Sequence, residues 1–150
     1  MTRIKEIVQA ITKKYKTNNP FELADYMGVN VIHWDLHEEI NGFYKYDKRN
    51  KYIFINRNLD DPLQKFTCAH EFGHSQLHPR LNTPFLRKNT LYSTSRIEQE
   101  ANTFAIELLV PDRIVHENYH STIYEMATAY GIPEEVVQLK NFKQKIGIFS

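Results

Sequence analysis

Apolar residues recur along this 150-residue chain with two different periods, and the switches between them divide it into elements. Ile4, Ile7, Val8 and Ile11 share one face of a helix that Thr2 can cap and that Asn18-Asn19-Pro20 ends. Asn19 as a cap and Pro20 at the first helical position start a second, short helix through FELADYM, closed by Gly28. The period then drops to two. VNVIHW, INGFYKY and KYIFIN are rich in aromatic and β-branched residues, and the last two flank Asp47-Lys48-Arg49-Asn50, a polar turn that predicts an antiparallel hairpin. Helical spacing returns after Asp60-Asp61, either of which can cap a helix that begins at Pro62 and is stopped by Pro79. A loop over 79–94 leads to a Ser95 cap and a helix through RIEQEANTFAIELLV, ended before Pro111. STIYEMATAYGIPEEVVQLKNF then reads as two short helices joined at Gly131-Ile132-Pro133. The pattern predicts an α+β fold, mostly helical, with a small three-stranded antiparallel or mixed sheet packed on the helix that starts at Pro62.

Composition adds bounds. With 41% hydrophobic and 25% charged residues the chain can bury one real core, and without repeats or linkers it reads as a single domain over 1–150. Within it, N-terminal helices and sheet occupy 1–58, two long helices 61–110 and a helical C-terminal region 112–141. No run approaches the ~20 apolar residues of a membrane span, and the charged opening MTRIKEIVQAITKKYK lacks the apolar centre of a signal peptide. The single cysteine, Cys68, cannot form an internal disulfide, which suits a reducing compartment, so the expected location is cytoplasmic. A formal charge of +1 provides no footprint for non-specific nucleic-acid or membrane binding, and neither partner is expected.

Candidate chemistry lies on the two long helices. With His70 at 0° on a helical wheel, His74 falls at about 40° and Glu71 at about 100°. Two imidazoles thus share a face, while Glu71 is set to the side, placed to act as general base on a water held by an ion between them. Leu63, Phe66, Gly73 and Leu77 lie within about 60° of His70, so the pair emerges from the buried stripe. Gly73 costs roughly 1 kcal/mol against Ala in a helix interior, which close approach of another segment would explain. HExxH alone arises by chance about 3% of the time in a chain of this composition, so a third ligand is needed to give it weight. On the later helix, Glu98 sits amid Ala101, Ala105, Leu108 and Leu109, where a carboxylate needs a cation. Glu100 and Glu107 fall on the opposite side, at about 200° and 180°, and read as solvated surface charge. His70, His74 and Glu98 make a three-ligand zinc site with one position left for water. Asn102, on the Glu98 face, can hydrogen-bond a ligand histidine or make a plain interhelical contact.

HEFGH at 70–74 followed by EQEANTFAIELLVP at 98–111 resembles the ImmA/IrrE family of metallopeptidases, gluzincin-like HExxH enzymes with a downstream glutamate ligand. NNPFELADYMGVNV at 18–31 is similar to that family's lead-in, so the resemblance spans most of 18–111. It implies a minimal zincin fold, with His70, His74 and Glu98 as zinc ligands and Glu71 as catalytic base, the set the wheels select. It also implies a partner that no spacing could indicate. Relatives of the ImmA type are carried by phages and integrative elements and cut a helix-turn-helix transcriptional repressor, whereas those of the IrrE type act in a stress response. A short chain without an added sensor domain is closer to the ImmA type.

Other features carry less. Asn41 to Tyr44 can pair with an extended substrate or be ordinary sheet edge. His78 reads as a cap before Pro79, Cys68 as structural, and His116, Tyr119 and His120 as surface residues or oxyanion donors. The rival to a protease is a zinc-containing regulator, binding either DNA or its repressor without cutting, because IYEMATAYGIPEEVVQLK has the length and central turn of a helix-turn-helix unit. Glu134-Glu135 at the start of its second helix would meet phosphates unfavourably.

Overall fold

The computed structural model describes residues 2–83, 85–87 and 95–113, together with 125, 128–129, 132, 136 and 139. Helix α1 (Thr2–Tyr15) buries Ile4 and Val8, with Ile7 and Ile11 packed beside them. Helix α2 (Pro20–Tyr26) is capped by the Asn19 side chain, which accepts from the Phe21 and Glu22 amides. Gly28 follows at φ +72°, the left-handed turn that lets the chain leave the helix and enter the sheet.

The sheet contains β1 (Val29–Trp34), β2 (Ile40–Asp47) and β3 (Asn50–Asn56), with β3 between the other two. It pairs antiparallel to β2, as the hairpin pattern predicts, and parallel to β1, so the sheet is mixed. The tight turn joining β2 to β3 puts both Lys48 (φ 49°) and Arg49 (φ 67°) in the left-handed region. That conformation matches the twist of paired strands, and the sequence achieves it without glycine or asparagine at either position. The Asn56 side chain secures the β1–β2 connection by donating to the carbonyls of Leu36, His37 and Ile40. A fourth strand, β4 (Leu86–Arg87), pairs antiparallel with β2, Leu86 standing opposite Gly42. It arises inside the segment predicted as loop, where two residues provide too short an alternation to be read.

Helix α3 (Asp61–Leu77) lies on the sheet, and α4 (Arg96–Leu109) lies on α3. Asp60 is the cap of α3, its side chain accepting from the Leu63 amide at 2.9 Å. Ser95 holds the corresponding position on α4 without a side-chain cap bond. Two glycines allow these contacts. A Cβ on Gly42 would come within 2.8 Å of Thr67 Cγ2 as well as striking the Phe54 carbonyl, and one on Gly73 would come within 3.0 Å of Phe104 Cβ. Phe66, Phe72, Phe104, Ile53 and Ile55 are fully buried between the layers. The close approach inferred from Gly73 is therefore that of α4, and Ala101 and Ala105, both buried, face the same crowded interior.

Candidate metal centre

Helix α3 contributes His70, Glu71 and His74, all buried, with one potential ligand atom of each lying within 4.8 Å of the others. Helix α4 brings Glu98, in its first turn, up against them. Its Oε2 lies 3.1 Å from Nε2 of His70 and its Oε1 2.8 Å from Nε2 of His74, so one carboxylate spans both rings. All four residues selected from the sequence converge.

The hydrogen bonding within this cluster is incomplete in a revealing way. His74 Nε2 and Glu98 Oε1 both lack a hydrogen-bond partner despite their 2.8 Å separation, because the direction from the ring does not suit a bond between them. Both oxygens of Glu71 are buried and unpartnered as well. Buried polar atoms in this state cost on the order of 1–3 kcal/mol each, more when charged. Two imidazole nitrogens and a carboxylate turned toward shared space are the donor set of a three-ligand zinc site, so the residues present fit such an ion.

The outward-facing ring nitrogens are held. Asn102 Oδ1 is 2.7 Å from Nδ1 of His70, the contact its place on the wheel suggested. Nδ1 of His74 is 3.0 Å from Nδ1 of His78, whose Nε2 is in turn 2.8 Å from Oε1 of Glu100.

Residues 24–140 match the family of IrrE N-terminal-like domains, peptidase family M78. The chain belongs to the ImmA/IrrE family of metallopeptidases. It is 54% identical over 95% of its length to uncharacterized immunity region protein 2 of Bacillus phage phi105, covering 92% of that protein. Over 98% of its length it is 31% identical to the metallopeptidase ImmA of Bacillus subtilis strain 168, covering 88% of it.

In this ImmA/IrrE chain the surroundings push the site's groups apart in charge. Burial opposes ionisation of Glu98, but the His70 and His74 imidazoles set against it outweigh burial and hold the carboxyl well below the usual range. Glu71 has no hydrogen-bond partner, and burial lifts its carboxyl to about 8 despite the opposing pull of His70. Burial likewise lowers the His74 imidazole to about 4, a ring kept neutral and able to bind a metal. For His70, burial is outweighed by Glu71 and Glu98, and its affinity for a proton rises.

Three readings of the sequence change. Glu107 is 6% exposed with Lys5 Nζ 3.7 Å away, because α1 covers the back of α4; the side opposite Glu98 faces protein, not solvent. Glu100 is likewise engaged, and its bond to His78 holds its carboxyl below the usual range. His78 does end α3, its amide bonding the His74 carbonyl, but its side chain joins the cluster. The wheel of one helix could flag it only as one more histidine at i+4 from His74. The stretch Asn41 to Tyr44 is not an open edge either: Leu86 pairs with Gly42, and the Thr83 amide donates to the Tyr44 carbonyl. Cys68 is buried as expected, and burial, with Glu71 nearby, raises its thiol far above the reactive range. His116, Tyr119, His120 and most of the helix-turn-helix-like segment lie outside the described residues. Among the described residues no helix is long and apolar enough to cross a membrane.

Proposed function

We propose that this metallopeptidase is a zinc-dependent endopeptidase that hydrolyses a bond in a helix-turn-helix repressor, releasing a phage or mobile element from repression in the cytoplasm. His70, His74 and Glu98 hold the ion and Glu71 is the base. The observation that carries this reading is the Glu98 carboxylate reaching both imidazoles in a buried setting where Glu71 and His74 Nε2 lack partners.

Zinc, when bound, supplies a Lewis acid that polarises the scissile carbonyl and eases deprotonation of water. Glu71 provides the proton traffic. One carboxylate oxygen takes the proton of the attacking water and delivers it to the leaving amine, a pair of transfers open to Glu71 because neither of its oxygens is engaged by another group. Glu98 remains ionised throughout, and Asn102 keeps His70 turned so that Nε2 faces inward. Hydrolysis is direct, since the buried Cys68 thiol is no nucleophile. The choice of substrate draws on the resemblance to the ImmA type and on two relatives, one named for a phage immunity region and one named ImmA.

The test uses the purified chain and, as substrate, a small helix-turn-helix repressor, sought first among the products of the adjoining genes. About one zinc per chain and cleavage of the repressor are expected, with Glu71→Gln keeping the zinc and losing cleavage. Protein prepared without chelator that contains no zinc defeats the reading, and cleavage by Glu71→Gln removes Glu71 from its role.

A further inference from the structure

The two histidines of α3 are braced differently. His70 leans on the Asn102 amide, whereas His74 meets a second histidine that is itself bonded to a carboxylate, in the chain His74, His78, Glu100. The His78 and Glu100 side chains are 8% and 12% exposed, so little water reaches them to rearrange their protons. The same two helices that carry the proposed ligands thus carry this brace. His78 stands one turn after His74, and Glu100 two residues after Glu98.

Two ring nitrogens 3.0 Å apart share one hydrogen, and the far end of the chain decides which of them bears it. Glu100 is a carboxylate, with Arg96 Nε 3.6 Å from its other oxygen, so it accepts and cannot donate. His78 therefore carries hydrogen on Nε2, and in that tautomer its Nδ1 is an acceptor. Nδ1 of His74 must then be the donor. Nε2 of His74, the atom 2.8 Å from Glu98, is left with its lone pair directed into the site.

We infer that His78 and Glu100 are a positioning pair that locks His74 in its metal-binding tautomer and ring orientation, and so sets the affinity of the protein for zinc. The inference rests on the ligand set proposed above. Neither residue touches substrate; both act through His74.

Zinc affinity of the full chain, measured by competition with a chromophoric chelator, tests the pair, with helix content followed by circular dichroism. His78→Phe weakens zinc binding by about 10- to 100-fold at native helix content, the usual effect of removing such a partner. Glu100→Ala weakens it about tenfold, while Glu100→Gln, whose amide oxygen accepts the same hydrogen, stays within about threefold of the parent. Parental affinity in His78→Phe overturns the inference, and so does a Glu100→Gln protein as weak as Glu100→Ala. If His78→Phe does not fold, nitrogen-15 shifts of the parent's histidines decide: hydrogen on Nδ1 of His74 supports the pair, and hydrogen on Nε2 refutes it. A parent chain that takes up no zinc overturns the proposed ligand set, and the pair with it, whereas a zinc-binding parent matched by His78→Phe overturns the pair alone.

Discussion

Glu71 and Glu98 are the same residue type in one buried cluster, and their surroundings give them opposite characters. Glu98 lies against two imidazoles and stays charged, while Glu71 has no hydrogen-bond partner and is lifted toward neutral pH. Substitution should separate the roles. Glu98→Ala is expected to weaken zinc by about 100-fold or more, at least as much as losing an outer partner does, as measured by chelator competition. Glu98 was legible in the sequence because a carboxylate among Ala101, Ala105 and Leu108 has to be neutralised by something. Glu100 was not, because its role comes from the end of α3 lying against the first turn of α4, which the wheel of one helix cannot represent. Glu107 was misread for a related reason: a wheel orders the faces of a helix but does not say how many are covered.

At the scale of elements, the helices and the hairpin follow from capping residues, prolines and periodicity, and only their packing had to be seen. Gly73 is where the two levels meet, since its lack of a side chain allows α4 to press Phe104 against α3. Alanine there would gain roughly 1 kcal/mol in helix propensity, but its Cβ would meet a Cβ fixed to the α4 backbone, which cannot turn aside. Gly73→Val adds two more carbons and should cost about 1–3 kcal/mol as overpacking, read as a lower urea midpoint. Because the wedge also pushes the Glu98 helix away from the histidines, its zinc affinity should fall as well, and parental affinity would show that the site does not depend on this contact. The parallel pairing of β1 with β3 and the short β4 escaped the sequence, since alternation marks a strand without naming its neighbour.

For the molecule as a whole, the site is a tie between layers: His70 and His74 belong to the helix on the sheet, and Glu98 to the helix beyond it. An ion held by both should stabilise the fold by mass action, about 2.7 kcal/mol at a free concentration 100 times the dissociation constant. For a chain of this size that corresponds to a Tm change of roughly 5–10 °C, so a chelator should lower the midpoint by that amount and added zinc should restore it. A Tm indifferent to chelator would mean that no ion joins the two helices. The β2–β3 turn, by contrast, is a place where the protein lies below the stability open to its fold. Lys48 and Arg49 occupy left-handed conformations that asparagine and glycine adopt more readily. Lys48→Asn with Arg49→Gly should therefore raise the Tm by a few degrees, with zinc affinity unchanged. Such a sturdier parent would give the damaging substitutions at the metal centre a margin in which to remain folded, so that their effects on zinc can be measured apart from unfolding.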